Sequence, residues 1–272
     1  MKNNILLFGV AILLLLTGCK KAFQYSLLEV RPLASDLNVN AVEQIRSLPQ
    51  KSSFTFLVIS DTQIALGELS DFVKYANKHY TDEEIAFVLH GGDITDFGAN
   101  YEYNDYYNDI KKLKFPNIAT IGNHDMLGNG SEIYRKYFGP DDFTFRYGKS
   151  AFIVFNSNSR ERGFDGTLPN EEWLAQQIQQ TDAQETDHIF FLSHVPPMSA
   201  DFDPNKVDSF TELLASTDKA RLSIHGHTHV FSYDEPYNDG MPYLIAPSLE
   251  KRSFVEVTVV DDQSISVNLI HY

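Results

Sequence analysis

The chain has 272 residues, 43% hydrophobic and 13% aromatic, which is enough for a sizeable single-domain core and excludes global disorder. Acidic side chains outnumber basic ones 37 to 22, a formal charge of −15, and a surface of that sign repels phosphate backbones, so no nucleic-acid partner is expected. A single cysteine excludes internal disulfides and any cysteine-rich zinc module.

The chain opens with Lys2 and a twelve-residue apolar run, Ile5 to Leu16, too short to span a bilayer comfortably and laid out like a secretory h-region. It ends in Leu16-Thr17-Gly18-Cys19, which resembles the lipobox of bacterial lipoproteins. The resemblance implies a signal peptide over 1–18, lipidation of Cys19, and a membrane-anchored, extracytoplasmic protein of a bacterial envelope. Removing the leader takes Lys2 with it, leaving 21 basic against 37 acidic side chains, or −16. Residues 19–53 read as a lipidated tether, with one short helix near Asn40–Ser47, leading into a domain over 54–272.

From Phe54 onward, short β-branched runs alternate with helix-like segments, the pattern of an α/β fold. Strands are expected at Phe54–Ser60, Ile85–His90, Asn117–Ile121, Ala151–Asn156, His188–Ser193 and Arg221–Ile224. Helices are expected at Glu68–His79, Tyr101–Lys114, Glu171–Gln180 and Val207–Ser216. Three later runs, Tyr243–Ala246, Phe254–Val260 and Ser264–Ile270, come without intervening helices and read as an antiparallel end.

Metal-type side chains stand just past the ends of five of these strands. They are Asp61 with Gln63; Asp93 in Gly91-Gly92-Asp93; Asn123 with His124 in Gly122-Asn123-His124-Asp125; His194; and His227 with His229 in Gly226-His227-Thr228-His229. Groups at the carboxyl ends of strands in α/β sheets can converge in one crevice. Any one alone is weak, since a Gly-Asp pair is commonly a turn. Five in register point to a metal site.

This order and spacing resembles the calcineurin-like metallophosphoesterase family over roughly Phe54 to Tyr272. The resemblance implies a four-layer α/β/β/α sandwich, two mixed sheets flanked by helices, with two divalent metals between the sheets. Matching position by position, Asp61, Gln63, Asp93 and His229 would hold one metal. Asp93, Asn123, His194 and His227 would hold the other, with Asp93 shared. Mixed oxygen and imidazole donors suit Mn or Fe, with Zn possible. The implied reaction is hydrolysis of a phosphomonoester, phosphodiester or pyrophosphate bond of a small phosphorylated substrate by a metal-bridging hydroxide. By the same analogy Asp96 would orient His124, which acts on the leaving-group oxygen; a turn or helix cap is the alternative for Asp96. Phe97 replaces the arginine of the protein serine/threonine phosphatases, which sets this chain apart from them. Gln63 stands where the family usually has histidine, as in its manganese-dependent ADP-ribose and CDP-alcohol pyrophosphatase branch. It reads either as a working oxygen ligand or as the mark of a decayed site in a non-catalytic metal- or phospholigand-binding lipoprotein. Arg160 and Arg162 lie in a polar loop, where solvated charge and a distal phosphate contact both fit.

Overall fold

The computed structural model describes residues 30–260 and 264–272. The leader, Cys19 and the first part of the expected tether lie outside the described residues. Two mixed sheets pack face to face. In the first, β1 (Phe54–Ile59), β2 (Ile85–His90) and β3 (Asn117–Ala119) run parallel, and β10 (Ser253–Val259) and β11 (Ile265–His271) add antiparallel beside β1, giving the order β11-β10-β1-β2-β3. In the second, β5 (Ser150–Val154), β6 (His188–Leu192), β7 (Ala220–His225) and β9 (Tyr243–Ile245) are parallel. The hairpin partners β4 (Phe143–Tyr147) and β8 (Ser232–Asp234) close its two edges antiparallel, so the order is β4-β5-β6-β7-β9-β8.

Side-chain alternation along β1 shows how the sequence builds the layers. Phe54, Phe56 and Val58 point into the core between the sheets, while Leu57 and Ile59 point outward under the helices. Between the sheets, Phe152 stacks on Phe190 with centroids 4.9 Å apart, and Phe56 meets Phe152 edge-on at 5.5 Å. The outer face of the first sheet is covered by α2 (Leu66–His79), α3 (Asn100–Ile110) and α4 (Gly130–Phe138). The outer face of the second is covered by α5 (Glu171–Asp182) and α6 (Val207–Leu214). The expected four-layer sandwich is the observed fold.

Four local differences have physical reasons. The stretch expected as a tether contains α1 (Leu37–Ser47), longer than the helix expected there, and its Ala41, Val42 and Ile45 are buried in the inter-sheet core. Asn38 explains the placement: its amide donates to Ala119 O at 2.8 Å and its Oδ1 accepts the Ala119 N–H at 2.9 Å, so one side chain occupies the free edge of β3. The run at Tyr243 does not join the other two in one antiparallel end: β9 lies in the second sheet, parallel to β7 and antiparallel to the short β8, while β10 and β11 pair antiparallel in the first sheet. The edge strand β4 and the helix α4 were not expected; α4 buries Ile133, Tyr134, Tyr137 and Phe138 on one face.

Candidate metal centre

All the chemistry-bearing motifs lie in the loops that leave β1, β2, β3, β6 and β7. Asp61 is fully buried at the end of β1, and its N–H donates to Gly92 O at 3.0 Å. Asp93 O in turn accepts from the Thr62 and Gln63 N–H groups, so the β1 and β2 loops are laced together by main-chain bonds. The glycines permit the close approach: a Cβ on Gly122 would lie 2.0 Å from Asp93 N, and one on Gly226 would lie 2.7 Å from Asp61 Oδ2. Asp61, Asp93, His227 and His229 all have positive φ, between 53° and 73°, a region non-glycine residues enter at a cost of about 1–3 kcal/mol each.

Donor atoms converge and face one another. His194 Nδ1 lies 2.7 Å from Gly91 O, and a carbonyl can only accept, so Nδ1 carries a proton and Nε2 is the nitrogen that a cation can take by displacing its proton. That Nε2 faces Asp93 Oδ2 at 3.2 Å and Asn123 Oδ1 at 3.0 Å. Asn123 Oδ1 also lies 3.1 Å from His227 Nδ1. On the other side of Asp93, His229 Nε2 is 3.3 Å from Asp61 Oδ1. Gln63 Nε2 lies 3.5 Å from Asp93 Oδ2, and its Oε1 is buried with no hydrogen-bond partner among the described residues. Ligand atoms of Asp61, Asp93 and His194 all lie within 4.8 Å of one another. Donor atoms turned inward, with one orphaned amide oxygen, fit divalent cations. The expected donors are thus brought together at the strand ends, with Gln63 and His194 beside Asp93, Asn123 between His194 and His227, and His229 beside Asp61.

Electrostatics point the same way. Burial pushes the Asp93 carboxyl up, but His194 and the His124 N–H outweigh it and hold the group below its usual range. Burial likewise opposes charge on His194, yet Asp93 draws it up to about 9. The pocket therefore favours positive charge at its centre, and a bound cation competes with that proton. Burial first, then repulsion by His194, lowers His227; the hydrogen bond to Asp61 raises His229.

His124 stands at the edge of this group, its N–H on Asp93 Oδ1 at 2.9 Å. Its Nδ1 donates to the Asp96 main-chain carbonyl at 2.9 Å and lies 3.3 Å from Asp96 Oδ1, which leaves Nε2 outward. Asp96 does not cap α3; the Glu102 carboxylate does, accepting from the N–H groups of Asp96, Phe97 and Ala99. Arg160 pairs with Asp201 at 2.8 Å, and Arg162 points toward Asp165 at 3.7 Å.

Sequence reading passed over several groups that the fold brings here. Asp125 is fully buried and accepts from Ile94 N, Thr95 N, Thr95 Oγ1 and Gly122 N, which locks the Asp93 loop to the Asn123 loop. Asp201 and Ser199 lie 3.3 and 3.1 Å from His227 Nε2. Burial, then Asp201 and Asp93, raise Glu161, whose Oε2 is buried without a hydrogen-bond partner among the described residues. His90 and His225, which stand before glycines at strand ends and read from the sequence as packing groups, are fully buried and lowered to about 3, by burial first and then by His194. Ile64, Phe97, Leu127, Met198 and Val230, on the same loops, are exposed.

The family model for calcineurin-like phosphoesterases matches residues 54–231. The chain belongs to the calcineurin-like phosphoesterase family. Among solved structures, a dimetal phosphatase from Danio rerio is 14% identical with a TM-score of 0.63, over 80% of this chain and 99% of that one. GAP50, described as the anchor in the inner membrane complex of Plasmodium, is also 14% identical with a TM-score of 0.63, over 81% of this chain and 85% of that one. A purple acid phosphatase from yellow lupin is 13% identical with a TM-score of 0.62, over 82% of this chain and 52% of that one. At these identities the likeness is one of fold. No curated protein matches the sequence. Calcineurin-like phosphoesterases bind divalent metals, and the buried Asp61, Asp93 and His194 are a candidate group for them in this chain.

Proposed function

We propose that this calcineurin-like phosphoesterase hydrolyses a phosphoester or pyrophosphate bond of a small phosphorylated substrate, held to a membrane by lipid on Cys19. The observation that carries the reading is the ring of inward donor atoms, His194 Nε2 against Asp93 and Asn123 oxygens, with Gln63 Oε1 orphaned beside them. Asp61, Gln63, Asp93 and His229 would hold one cation, and Asp93, Asn123, His194 and His227 the other. Manganese or iron fits this oxygen-rich set best, with zinc able to replace them. Two such cations supply Lewis acidity toward phosphoryl oxygens and water acidic enough to serve as nucleophile. His194 keeps its coordinating nitrogen aimed through the Gly91 carbonyl. His124, with Nδ1 tied to Asp96, has Nε2 left to donate a proton to the leaving oxygen.

The test is turnover by the Mn²⁺-loaded protein of p-nitrophenyl phosphate, its bis ester and nucleoside-diphosphate compounds. Turnover of at least one, abolished by His124→Ala without loss of metal, is the expected result. A fully loaded protein that turns over none would leave a metal- or phospholigand-binding lipoprotein instead. For the anchor, Cys19→Ser should end partitioning into detergent, and unchanged partitioning would refute it.

A further inference from the structure

We infer that the cavity beside the His124 loop is the leaving-group subsite and that it takes a hydroxyl-rich group of monosaccharide or polyol size. The inference rests on the phosphoesterase reading and names its substrate class. The cavity measures about 300 Å³, at the small end of ligand pockets, which run to about 1,000 Å³.

Its position follows from two walls. Met126, two residues past His124, donates its N–H to Asn123 O at 3.1 Å and lines the cavity. Arg162 lines the cavity as well, in the loop that follows β5. The Met126 wall is thus tied directly to the turn that carries Asn123 and His124. The His124 side is the side on which a leaving group departs.

The lining defines the chemistry. Arg135 and Arg162 balance Asp141 and Asp142, so the cavity offers no net charge to a second phosphate. Among the described residues no aromatic ring lines it, so a nucleobase finds no stacking platform there. What it does offer is carboxylate, amide and guanidinium in close alternation. A hydroxyl is donor and acceptor at once, so a polyol can satisfy such a surface where an apolar or purely anionic group cannot.

Part of this surface is fixed in advance. Arg135 holds Asp141 through Nε at 3.0 Å and Nη2 at 2.7 Å. Asn156, 3% exposed, reaches Asp141 with its amide at 3.4 Å and donates its N–H to Asp142 Oδ1 at 2.9 Å. Asp142 is thus anchored through one oxygen, with the other left for a ligand hydroxyl. Groups held this way need little reordering on binding.

The experiment compares kcat/KM of the Mn²⁺-loaded protein for glucose 1-phosphate, glycerol 1-phosphate and p-nitrophenyl phosphate. Wild type should favour a polyol ester over the aryl ester once leaving-group acidity is allowed for. Asp142→Asn keeps the bond to Asn156 but removes a charged acceptor, so the polyol-to-aryl ratio should fall roughly ten- to a hundred-fold, mainly through KM. Arg162→Gln, on the exposed wall, should shift the ratio the same way and guards against misfolding of the Asp142 variant. A ratio unchanged in both variants, or a wild type that favours the aryl ester over both polyol esters once leaving-group acidity is allowed for, overturns the subsite and leaves the phosphoesterase intact. Loss of the phosphoesterase reading itself would show differently, as no turnover of any ester, and would take this inference with it.

Discussion

Replacing Asp125 by alanine removes no candidate ligand, yet it should loosen the whole centre. Its Oδ1 accepts from Ile94 N at 3.1 Å, Thr95 N at 2.9 Å and Thr95 Oγ1 at 2.8 Å, and its Oδ2 accepts from Gly122 N at 2.9 Å. Each buried donor stripped of its acceptor costs about 1–3 kcal/mol. A water entering the vacated space can satisfy about two of the four, leaving a loss of about 4 kcal/mol. For a chain of this length that lowers Tm by roughly 8–16 °C. Asp125→Asn should cost less, about 1–2 kcal/mol. It keeps an oxygen toward Thr95 and turns an NH₂ toward Gly122. It also deletes a charge that, after burial itself, is raised to about 6 by the proximity of Asp93. Urea unfolding followed by circular dichroism should therefore rank wild type above Asn above Ala. An alanine variant within 1 kcal/mol of wild type would refute the view that this carboxylate clamps the two loops.

Three further outcomes follow from the same geometry. Asp93→Ala should lose both metals and His194→Ala mainly one, as read by elemental analysis; one equivalent in a fully loaded wild type would sink the shared-ligand arrangement. Gln63→Ala should weaken metal retention at least about 10–100-fold, while Gln63→His should stay active with a shift toward Zn²⁺. Activity found only in the His variant would mean that the natural centre is silent. His90, lowered to about 3 by burial, stays neutral in the fold, so the unfolded chain binds a proton that the folded chain refuses. Stability should then rise with pH between about 3 and 6.5, with a contribution of about 2 kcal/mol lost on going from pH 6.5 to 5. His90→Gln should flatten that slope by one proton, and an unaltered slope would exclude His90 as its source.

The layered fold and the strand ends that carry the candidate donors were legible in the sequence, while several pieces around them were not. Asp61, Asp93, Asn123, His194, His227 and His229 each follow a short apolar run, so strand ends and donor types could be read together. The six-residue run Ile85–His90 matches β2 at both ends because all six residues are buried and Gly91-Gly92 stops the strand. By contrast, β4 alternates buried Phe145 and Tyr147 with Thr144 and Arg146 on a sheet edge, a weak apolar signal. The helix α4 is pressed between glycines at 130 and 139, which read as loop. The place of α1 depends on Asn38 meeting a strand edge 81 residues away, and nothing local announces that. Asp125, Ser199, Asp201 and Glu161 likewise act through loop juxtapositions that only the folded chain creates.

The left-handed backbone at Asp61, Asp93, His227 and His229 bears on how such proteins age. These residues carry donor atoms and conformational strain together. The substitutions that relieve the backbone, glycine above all, delete a donor in the same step. Selection for heat resistance alone therefore works against metal retention at these positions. A lineage freed from the need for turnover can drift toward a sturdier sandwich with an empty crevice, keeping the scaffold for other uses. Inactive members of such a lineage should be found with greater thermal stability than their metal-free active cousins, and with their losses concentrated at these four sites.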